Sequence, residues 1–256
     1  MIKFYNLYAN KIMIIGLIPS RLNSTRLKEK PLLEIDGLPI IVHTYKRSKL
    51  SKKLDDVIVC TDHKKIRDVI KKFKGKALMT SKKHKNGTER IYEVAKKIKK
   101  AELIIDIQGD QPLIDPKSID KTIDFHKKNK QFDIVLGSMP IEERANNPSL
   151  VKNIFSGKRI IYFSRKKTPY NYNNKKIIFY KHLSIISFKP EALKKFYHSK
   201  EGILEKIEGI ELMRALELGM NIGTFVIKGS ELAVDVKTDL FKAISIMPHD
   251  KIRKKY

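Results

Sequence analysis

Cysteine is almost absent from this 256-residue chain, which contains only Cys60. A single cysteine excludes an internal disulfide framework and favours a reducing compartment, so we expect a cytoplasmic protein. Cys60 ends the apolar segment 57–60, and this position is typical of a small core residue rather than of a nucleophile.

Long apolar runs are also missing. The longest run near the N-terminus covers residues 12–18, whereas a membrane-spanning helix needs about 20 apolar residues. That segment lacks the small-residue cleavage pattern of a signal peptide, and the chain contains no tandem repeat, Walker loop or GxGxxG motif. We therefore expect a globular protein without a membrane span, with residues 1–12 as an N-terminal extension of one domain at 13–256.

Acidic residues are outnumbered, and the formal net charge is +26. The positive charge comes from 44 Lys and 10 Arg, and the lysines are spread over almost every segment. No basic stretch alternates with aromatic residues, as a stacking surface for nucleic acid would. We interpret the charge as a general compositional bias, and a basic nucleic-acid-binding module stays a less favoured alternative.

Arginine is scarce enough for its positions to be informative. Its planar guanidinium offers bidentate donors that lysine lacks, so an arginine in a lysine-rich chain is consistent with a need for such donors. Five of the ten lie in the motif stretches described below: Arg21, Arg26, Arg90, Arg165 and Arg214.

Apolar segments alternate with helical patterns through the first half of the chain. The segment 14–18 is a continuous apolar run, which is typical of a buried parallel strand. This alternation predicts an α/β fold with a doubly wound, mainly parallel sheet. Further strands are predicted at 55–61, 77–79 and 103–107, and helices at 39–49, 62–73 (with Asp62 as its N-cap) and 88–100.

The second half is richer in strand-like segments and predicts a smaller mixed β sub-domain inserted into that fold. Strands are expected at 133–139, 160–165, 177–188 and 222–227, with one helix at 203–218 and a closing helix from about 238. Charged residues recur every three positions in the helix at 203–218 and would lie close to one face: Glu205, Glu208, Glu211 and Arg214.

The loop after the first strand is rich in cations and hydroxyl groups. Pro19 ends the strand, because it has no N–H to donate to a neighbouring strand. Open α/β sheets bind ligands at the carboxyl ends of their strands, and a cationic loop there suits a polyphosphate. The alternative is an ordinary surface loop in a lysine-rich protein. The cations of the loop are Arg21, Arg26, Lys28 and Lys30.

Two carboxylates follow later strands. Asp110, in the turn 108–110, lies at the carboxyl end of the fourth strand, where a carboxylate is well placed to hold Mg²⁺. Asp235 follows the last predicted strand. The alternatives are a turn-forming residue at 110 and a helix cap at 235. A metal–triphosphate site requires both anionic ligands and phosphate donors, and the cationic loop would supply the donors.

Seven short motifs together resemble a known family. Single motifs are weak, whereas seven in the right order between residue 14 and about residue 243 are specific. The sequence is similar to the 3-deoxy-manno-octulosonate cytidylyltransferase (CMP-Kdo synthetase) family, and it differs from the sialic-acid activating enzymes in its GTER and QGD-x-P motifs. The motifs are IPSRLNSTRLKEKPL, NGTER, IQGDQP, YFSR, KHL, EGIELMRAL and AVDVKTDL.

The resemblance implies a nucleotidyl transfer that serves lipopolysaccharide synthesis. CTP and an acidic eight-carbon sugar would give the CMP-sugar and pyrophosphate, with Mg²⁺ as cofactor. The nucleotide-binding part would cover 13–140, the sugar-binding and dimerisation part 141–220, and 221–256 would return to the main sheet. A homodimer formed through the second half is expected, without a nucleic-acid partner.

The resemblance also implies roles for individual residues. Arg21 and Lys30 would hold the β- and γ-phosphates, and Asp110 and Asp235 would ligate Mg²⁺; these four are the expected catalytic residues. The expected nucleotide-binding residues are Pro19, Ser20, Arg21, Lys30, Thr88, Arg90 and Gln108, and the expected sugar-binding residues are Arg165, His182 and Glu211.

The sugar-binding roles have plainer alternatives. From the residues alone His182 fits a core histidine better than a sugar ligand, and only the family resemblance favours the sugar role. Glu211 also fits a solvated helix face, and Arg165 fits the free surface. No second His or Cys lies at ligand spacing from His182, so we do not expect it to bind metal.

The sequence departs from the family pattern in its first loop. The family commonly has Pro-Gly where this chain has Lys28-Glu29, so we expect the Glu29 carboxylate to point away from the triphosphate. A metal-dependent glycosyltransferase is less favoured, because such enzymes usually have a DxD pair and the turn 108–110 has one acid. Three segments look more like the branch that uses the 8-amino form of the sugar, which stays open as an alternative: Gln111, 180–183 and 214–216.

Overall fold

The computed structural model describes residues 12–24, 26–141, 146–228 and 232–256. The predicted N-terminal extension lies outside the described residues except for Ile12. The chain divides into two compact units, one formed by 1–121 with 230–256 and the other by 122–229.

Four parallel strands form the main sheet of the first unit, in the order β5-β4-β1-β6. Every residue of β1 and β4 is buried, which explains why both strands appear in the sequence as apolar runs. The predicted strands and the α/β class are confirmed; the doubly wound arrangement stays a prediction. The strands are β1 (Met13–Ser20), the short hairpin β2 (Glu34–Ile35) and β3 (Leu38–Pro39), β4 (Asp56–Thr61), β5 (Ala77–Met79) and β6 (Ala101–Ile107).

Three helices connect these strands: α1 (Ile40–Ser48), α2 (Lys64–Lys72) and α3 (Gly87–Ala95). The predicted N-cap of α2 was wrong, because His63 caps it by accepting a hydrogen bond from the Lys65 N–H at 3.2 Å. The Asp62 carboxylate instead accepts from Arg90 Nη2 at 3.0 Å.

Helix α3 is shorter than predicted and ends at Ala95. It begins after Asn86, whose side-chain oxygen accepts from the Glu89 N–H at 2.8 Å. Residues 96–100 form a turn, and β6 starts directly after it at Ala101.

The second unit contains a mixed sheet in the order β10-β7-β11-β9-β8. Strand β7 pairs antiparallel with β10 and parallel with β11, so the unit is not a simple meander. The unit includes both β7 and β11, which pair with each other, and the functional parts expected from the sequence stay predictions. The elements are α4 (Pro116–Lys128, which enters from the first unit), β7 (Ile134–Pro140), β8 (Lys152–Ser156), β9 (Arg159–Ser164), β10 (Tyr180–Phe188), α5 (Pro190–His198), α6 (Ile203–Glu208), α7 (Leu212–Glu217) and β11 (Ile222–Val226).

The single helix predicted at 203–218 is wrong, since the chain breaks it into α6 and α7. Gly209 ends α6 with φ of 60°, a left-handed conformation that glycine adopts without steric cost. The break places Arg214 against Glu205, with two buried hydrogen bonds of 2.6 and 2.7 Å. These residues therefore form a buried ion pair rather than part of a solvated face.

The chain returns to the first unit in α8 (Lys237–Ile246). Within the described ranges, no helix is long and apolar enough to cross a membrane. Cys60 is fully buried in β4, and burial raises the pKa of its thiol, which confirms the prediction of a core residue.

Candidate active site

The carboxyl end of β1 lies against two glycine-containing turns. A Cβ on Gly109 would come within 2.8 Å of the Pro19 carbonyl oxygen, and one on Gly87 within 3.2 Å of Pro19 Cγ. The chain therefore needs glycine at Gly109 for this close approach. The packing brings the predicted nucleotide-binding residues Thr88 and Gln108 to the end of β1.

Ser20 and Arg21 continue from this strand end. Ser20 is buried, and its hydroxyl has no hydrogen-bond partner among the residues that the structure describes. Arg21, the next residue, is exposed to solvent. A buried hydroxyl beside an exposed guanidinium is a donor arrangement that suits an anionic ligand.

Lys30 brings the two predicted carboxylates together. Its ammonium nitrogen lies 2.8 Å from Asp110 Oδ2 and 3.2 Å from Asp235 Oδ1. The Lys30 side chain is only 15% exposed, so solvent screens these contacts less than it would at an open surface. The predicted convergence of the first loop with Asp110 and Asp235 is therefore present in the structure. Asp235 lies in the irregular segment before α8 and not at the end of a strand, as the sequence had suggested.

Backbone contacts and apolar packing fix this convergence. The Val234 N–H donates to the Asp110 carbonyl oxygen at 3.0 Å, which holds Asp235 next to the turn after β6. An apolar cluster anchors the segments that flank the carboxylate and the loop, and it comprises Leu27, Ile35, Ile40, Val234, Ala243 and Met247.

Arg26 is a member of the site that the sequence did not assign. Its Nη2 lies 3.0 Å from Asp235 Oδ1, the same oxygen that Lys30 contacts. The only sequence signal was the presence of a rare arginine in the cationic loop. Its partner could not be predicted, because the two residues are 209 positions apart.

Glu29 adopts an unusual backbone conformation next to Lys30. Its φ is 49°, in the left-handed region that residues other than glycine rarely adopt. Its carboxylate accepts from Lys65 Nζ at 2.8 Å, and this hydrogen bond lowers the pKa of Glu29. The carboxylate is thus engaged away from the Lys30 ammonium.

This conformation leads to a stability prediction. Glu29→Gly and Glu29→Ala both remove the contact with Lys65, but only glycine relieves the left-handed strain. We expect the glycine variant to exceed the alanine variant in free energy of unfolding by about 0.5–1 kcal/mol. The left-handed conformation destabilises alanine by more than glycine loses in conformational entropy on folding. Urea denaturation measures the difference, and equal stabilities would contradict the strain.

The Arg90 guanidinium and the Gln108 amide nitrogen donate hydrogen bonds to protein groups. Arg90 is buried and donates to Thr80 Oγ1 at 2.7 Å as well as to Asp62. Gln108 Nε2 donates to both carboxylate oxygens of the buried Asp106, which fixes the orientation of its amide. Arg90 therefore braces the wall of the site, and the nucleotide contacts of both residues remain predictions.

The predicted sugar-binding residues lie in the second unit. The Arg165 guanidinium donates to the carbonyl oxygens of Pro148, Glu208 and Gly209 at 2.7–3.0 Å, so it braces the break between α6 and α7. Glu211 lies just beyond this break. Their contact with a sugar is an untested prediction.

His182 lies on β10, where its Nδ1 is 3.2 Å from the Leu183 carbonyl oxygen. The pKa of His182 is lowered, chiefly by burial and further by the charges of Lys181 and Arg165. The imidazole is therefore kept neutral at pH 7, and its role toward the sugar also remains a prediction.

The donor set around Lys30 fits a magnesium ion that shares its ligands with a substrate. Among the described residues, no group of three or more His, Cys, Asp or Glu could hold a metal alone. Mg²⁺ is commonly held by one or two carboxylates together with phosphate oxygens and water. Asp110 and Asp235 supply two carboxylates, and the Lys30 ammonium between them shows that this position accepts a cation.

Comparisons with known proteins agree with this geometry. A family model described as Cytidylyltransferase matches residues 15–222. The chain is 37% identical to a 3-deoxy-manno-octulosonate cytidylyltransferase of Fusobacterium nucleatum, over 93% of this chain and 98% of that protein. It is 36% identical to an 8-amino-3,8-dideoxy-manno-octulosonate cytidylyltransferase of Shewanella sp. (strain W3-18-1), over 90% of this chain and 96% of that protein.

Solved structures show the same relationship. A CMP:2-keto-3-deoxy-manno-octonic acid synthetase complexed with CTP superimposes with a TM-score of 0.88 at 31% identity, over 93% of this chain and 99% of that one. A 4-diphosphocytidyl-2C-methyl-D-erythritol synthase from Anaerococcus prevotii shares the fold, with a TM-score of 0.62 at 16% identity, 92% of this chain and 96% of that one being covered. The chain therefore belongs to the cytidylyltransferase family and is an enzyme that transfers cytidylyl groups.

Proposed function

We propose that the enzyme activates 3-deoxy-manno-octulosonate with CTP, giving CMP-Kdo and pyrophosphate for lipopolysaccharide synthesis. The observation that carries this proposal is the contact of Lys30 with both Asp110 and Asp235 beside the loop after β1. The similarity to a CTP-bound synthetase over nearly its whole length supports the nucleotide. The relative with 37% identity supports the sugar.

The reaction requires positioning and charge neutralisation rather than a covalent nucleophile. The anomeric hydroxyl of the sugar attacks the α-phosphorus in line and loses its proton to water. A new P–O bond forms, and the bond between the α-phosphorus and the oxygen that bridges to the β-phosphorus breaks, so that pyrophosphate leaves. Arg21 and Lys30 hold the β- and γ-phosphates and stabilise the charge on departing pyrophosphate. A Mg²⁺ held by Asp110 and Asp235 would polarise the phosphoryl oxygens.

The 8-amino form of the sugar is the second candidate substrate. The identities to relatives of the two kinds are nearly equal, at 37% and 36%. The two sugars differ only at C8, where the 8-amino form has an ammonium group in place of a hydroxyl group. Both sugars therefore offer the same anomeric hydroxyl as the acceptor for the transfer.

Pyrophosphate release tests the function and separates the two substrates. The enzyme is incubated with CTP, Mg²⁺ and each sugar in turn, with CTP alone as the control. Release that requires 3-deoxy-manno-octulosonate supports the main proposal, and release with the 8-amino sugar alone would replace it by the second. No release with either sugar would contradict both.

We also propose that the enzyme is a cytoplasmic homodimer. Ile203 and Ile207, four residues apart on α6, are each 74% exposed, and paired exposed isoleucines are consistent with a covered surface. Sedimentation equilibrium measures the mass, and a monomer at micromolar concentration would contradict the dimer.

A further inference from the structure

Two basic side chains contact the carboxylates of the site. The Lys30 ammonium contacts both Asp110 and Asp235, and the Arg26 guanidinium contacts the same oxygen of Asp235. A divalent ion bound to these oxygens would lie beside two positive groups, which would repel it.

We propose that Lys30 and Arg26 are counter-ions of Asp110 and Asp235, and that they leave these carboxylates for the phosphates when CTP binds. The metal ion then binds the carboxylates in their place. This inference rests on the proposed metal–triphosphate site and adds to it an order of binding and a positioning role for Arg26. Before CTP binds, the two cations satisfy Asp110 and Asp235. When CTP binds, its phosphates attract both cations, and the carboxylates become free for the metal.

The geometry allows such an exchange. The ammonium lies on a flexible four-carbon chain, so it can leave the carboxylates for a phosphate without backbone movement. Mg²⁺ needs oxygen ligands at about 2.1 Å, so it cannot share Asp110 Oδ2 and Asp235 Oδ1 with an ammonium that lies between them. Binding of the nucleotide and of the metal is therefore coupled, and the coupling is reciprocal.

The two cations are expected to differ in the size of their effect on binding. Lys30 is 15% exposed and contacts two carboxylates, whereas Arg26 is 58% exposed and contacts one. Contacts at an exposed side chain are screened by water and ions, so the effect of Arg26 is expected to be the smaller.

The test measures two binding constants of the full-length enzyme for one substitution. The affinity for Mn²⁺ without nucleotide is measured from the electron paramagnetic resonance signal of free Mn²⁺. The affinity for CTP is measured by calorimetry in EDTA. We expect Lys30→Met to bind Mn²⁺ about tenfold more tightly and metal-free CTP about tenfold more weakly, and Arg26→Gln to shift both about threefold in the same directions.

Lys28→Met is the matched control, because Lys28 lies on the same loop, is exposed and contacts neither aspartate in the described part of the chain. Both constants of this variant are expected to stay within about twofold of wild type. In Lys30→Met with Asp110→Asn, the gain in Mn²⁺ affinity should disappear, because one of the two carboxylates has lost its charge. Lys30→Gln, which keeps a polar head group, is measured in parallel in case the methionine variant fails to fold.

Opposite shifts in the two affinities distinguish this proposal from a structural role, which would weaken both. If the Lys30 variants bind Mn²⁺ no more tightly than Lys28→Met, or keep the gain when Asp110 is changed, the proposal is overturned. Wild-type pyrophosphate release would still support the proposed function in that case. Conversely, the counter-ion exchange would be supported by the two shifts even if neither sugar released pyrophosphate.

Discussion

Replacing Asp110 by asparagine is expected to lower turnover by about 10³-fold or more while the fold stays intact. The change keeps the size of the side chain and removes the charge that one metal ligand supplies. The Val234 N–H bonds the backbone carbonyl of Asp110, and Lys30 keeps Asp235 as a partner, so the local structure should survive. Saturating pyrophosphate-release kinetics and a urea denaturation curve measure the two properties.

Asp68→Asn is the control for this variant, because it makes the same charge change at an exposed position on α2. Its turnover should equal that of wild type. Near-normal turnover of Asp110→Asn would remove this carboxylate from the site, and a large loss of stability would show that its role is structural.

Lys30→Met is expected to lower kcat by about 10²–10³-fold. The ammonium neutralises charge that develops on departing pyrophosphate. A methionine side chain of similar length removes that charge, together with the hydrogen bonds from the ammonium to Asp110 and Asp235. Single-turnover measurements at saturating CTP separate this effect from weaker nucleotide binding.

Lys28→Met again provides the comparison, since it removes one positive charge from the same loop. We expect it to keep turnover within about twofold of wild type. If Lys30→Met changed only thermal stability and left kcat unaltered, the phosphate role of Lys30 would be wrong.

The first unit could be predicted largely from the sequence, because its strands are buried on both faces. Such strands appear as uninterrupted apolar runs, as in β1 and β4, and each run is followed by a helical pattern. The ends of parallel strands lie at one edge of a sheet, so Lys30 and Asp110, which follow β1 and β6, could be expected to meet there. Asp235 lies in the irregular segment before α8, so its position could not be derived from that rule.

Contacts between distant segments could not be predicted in the same way. The Arg26–Asp235 pair joins residues more than 200 positions apart, and charge alone does not identify a partner in a chain with 54 basic residues. The hydrogen bonds of Arg90 to Asp62 and Thr80 likewise depend on how helices and strands pack.

Local competition explains the errors at helix ends. Gly209 lies inside a pattern with helical spacing, yet its freedom at positive φ ends α6 and lets Arg214 reach Glu205. Asp62 is a favourable N-cap by residue type, but its ion pair with Arg90 leaves the cap to His63. At Asp62 a tertiary contact outweighs a local capping preference that is worth about 1 kcal/mol, whereas at Gly209 one local preference outweighs another.

Crystals of the enzyme grown with CTP and Mn²⁺ would test the central claim most directly, because anomalous scattering locates the manganese. We expect one Mn²⁺ within about 2.2 Å of carboxylate oxygens of both Asp110 and Asp235 and of phosphate oxygens of CTP, with the Lys30 ammonium moved to a phosphate. Manganese bound by neither aspartate, with Lys30 still between them, would contradict a shared metal–triphosphate site.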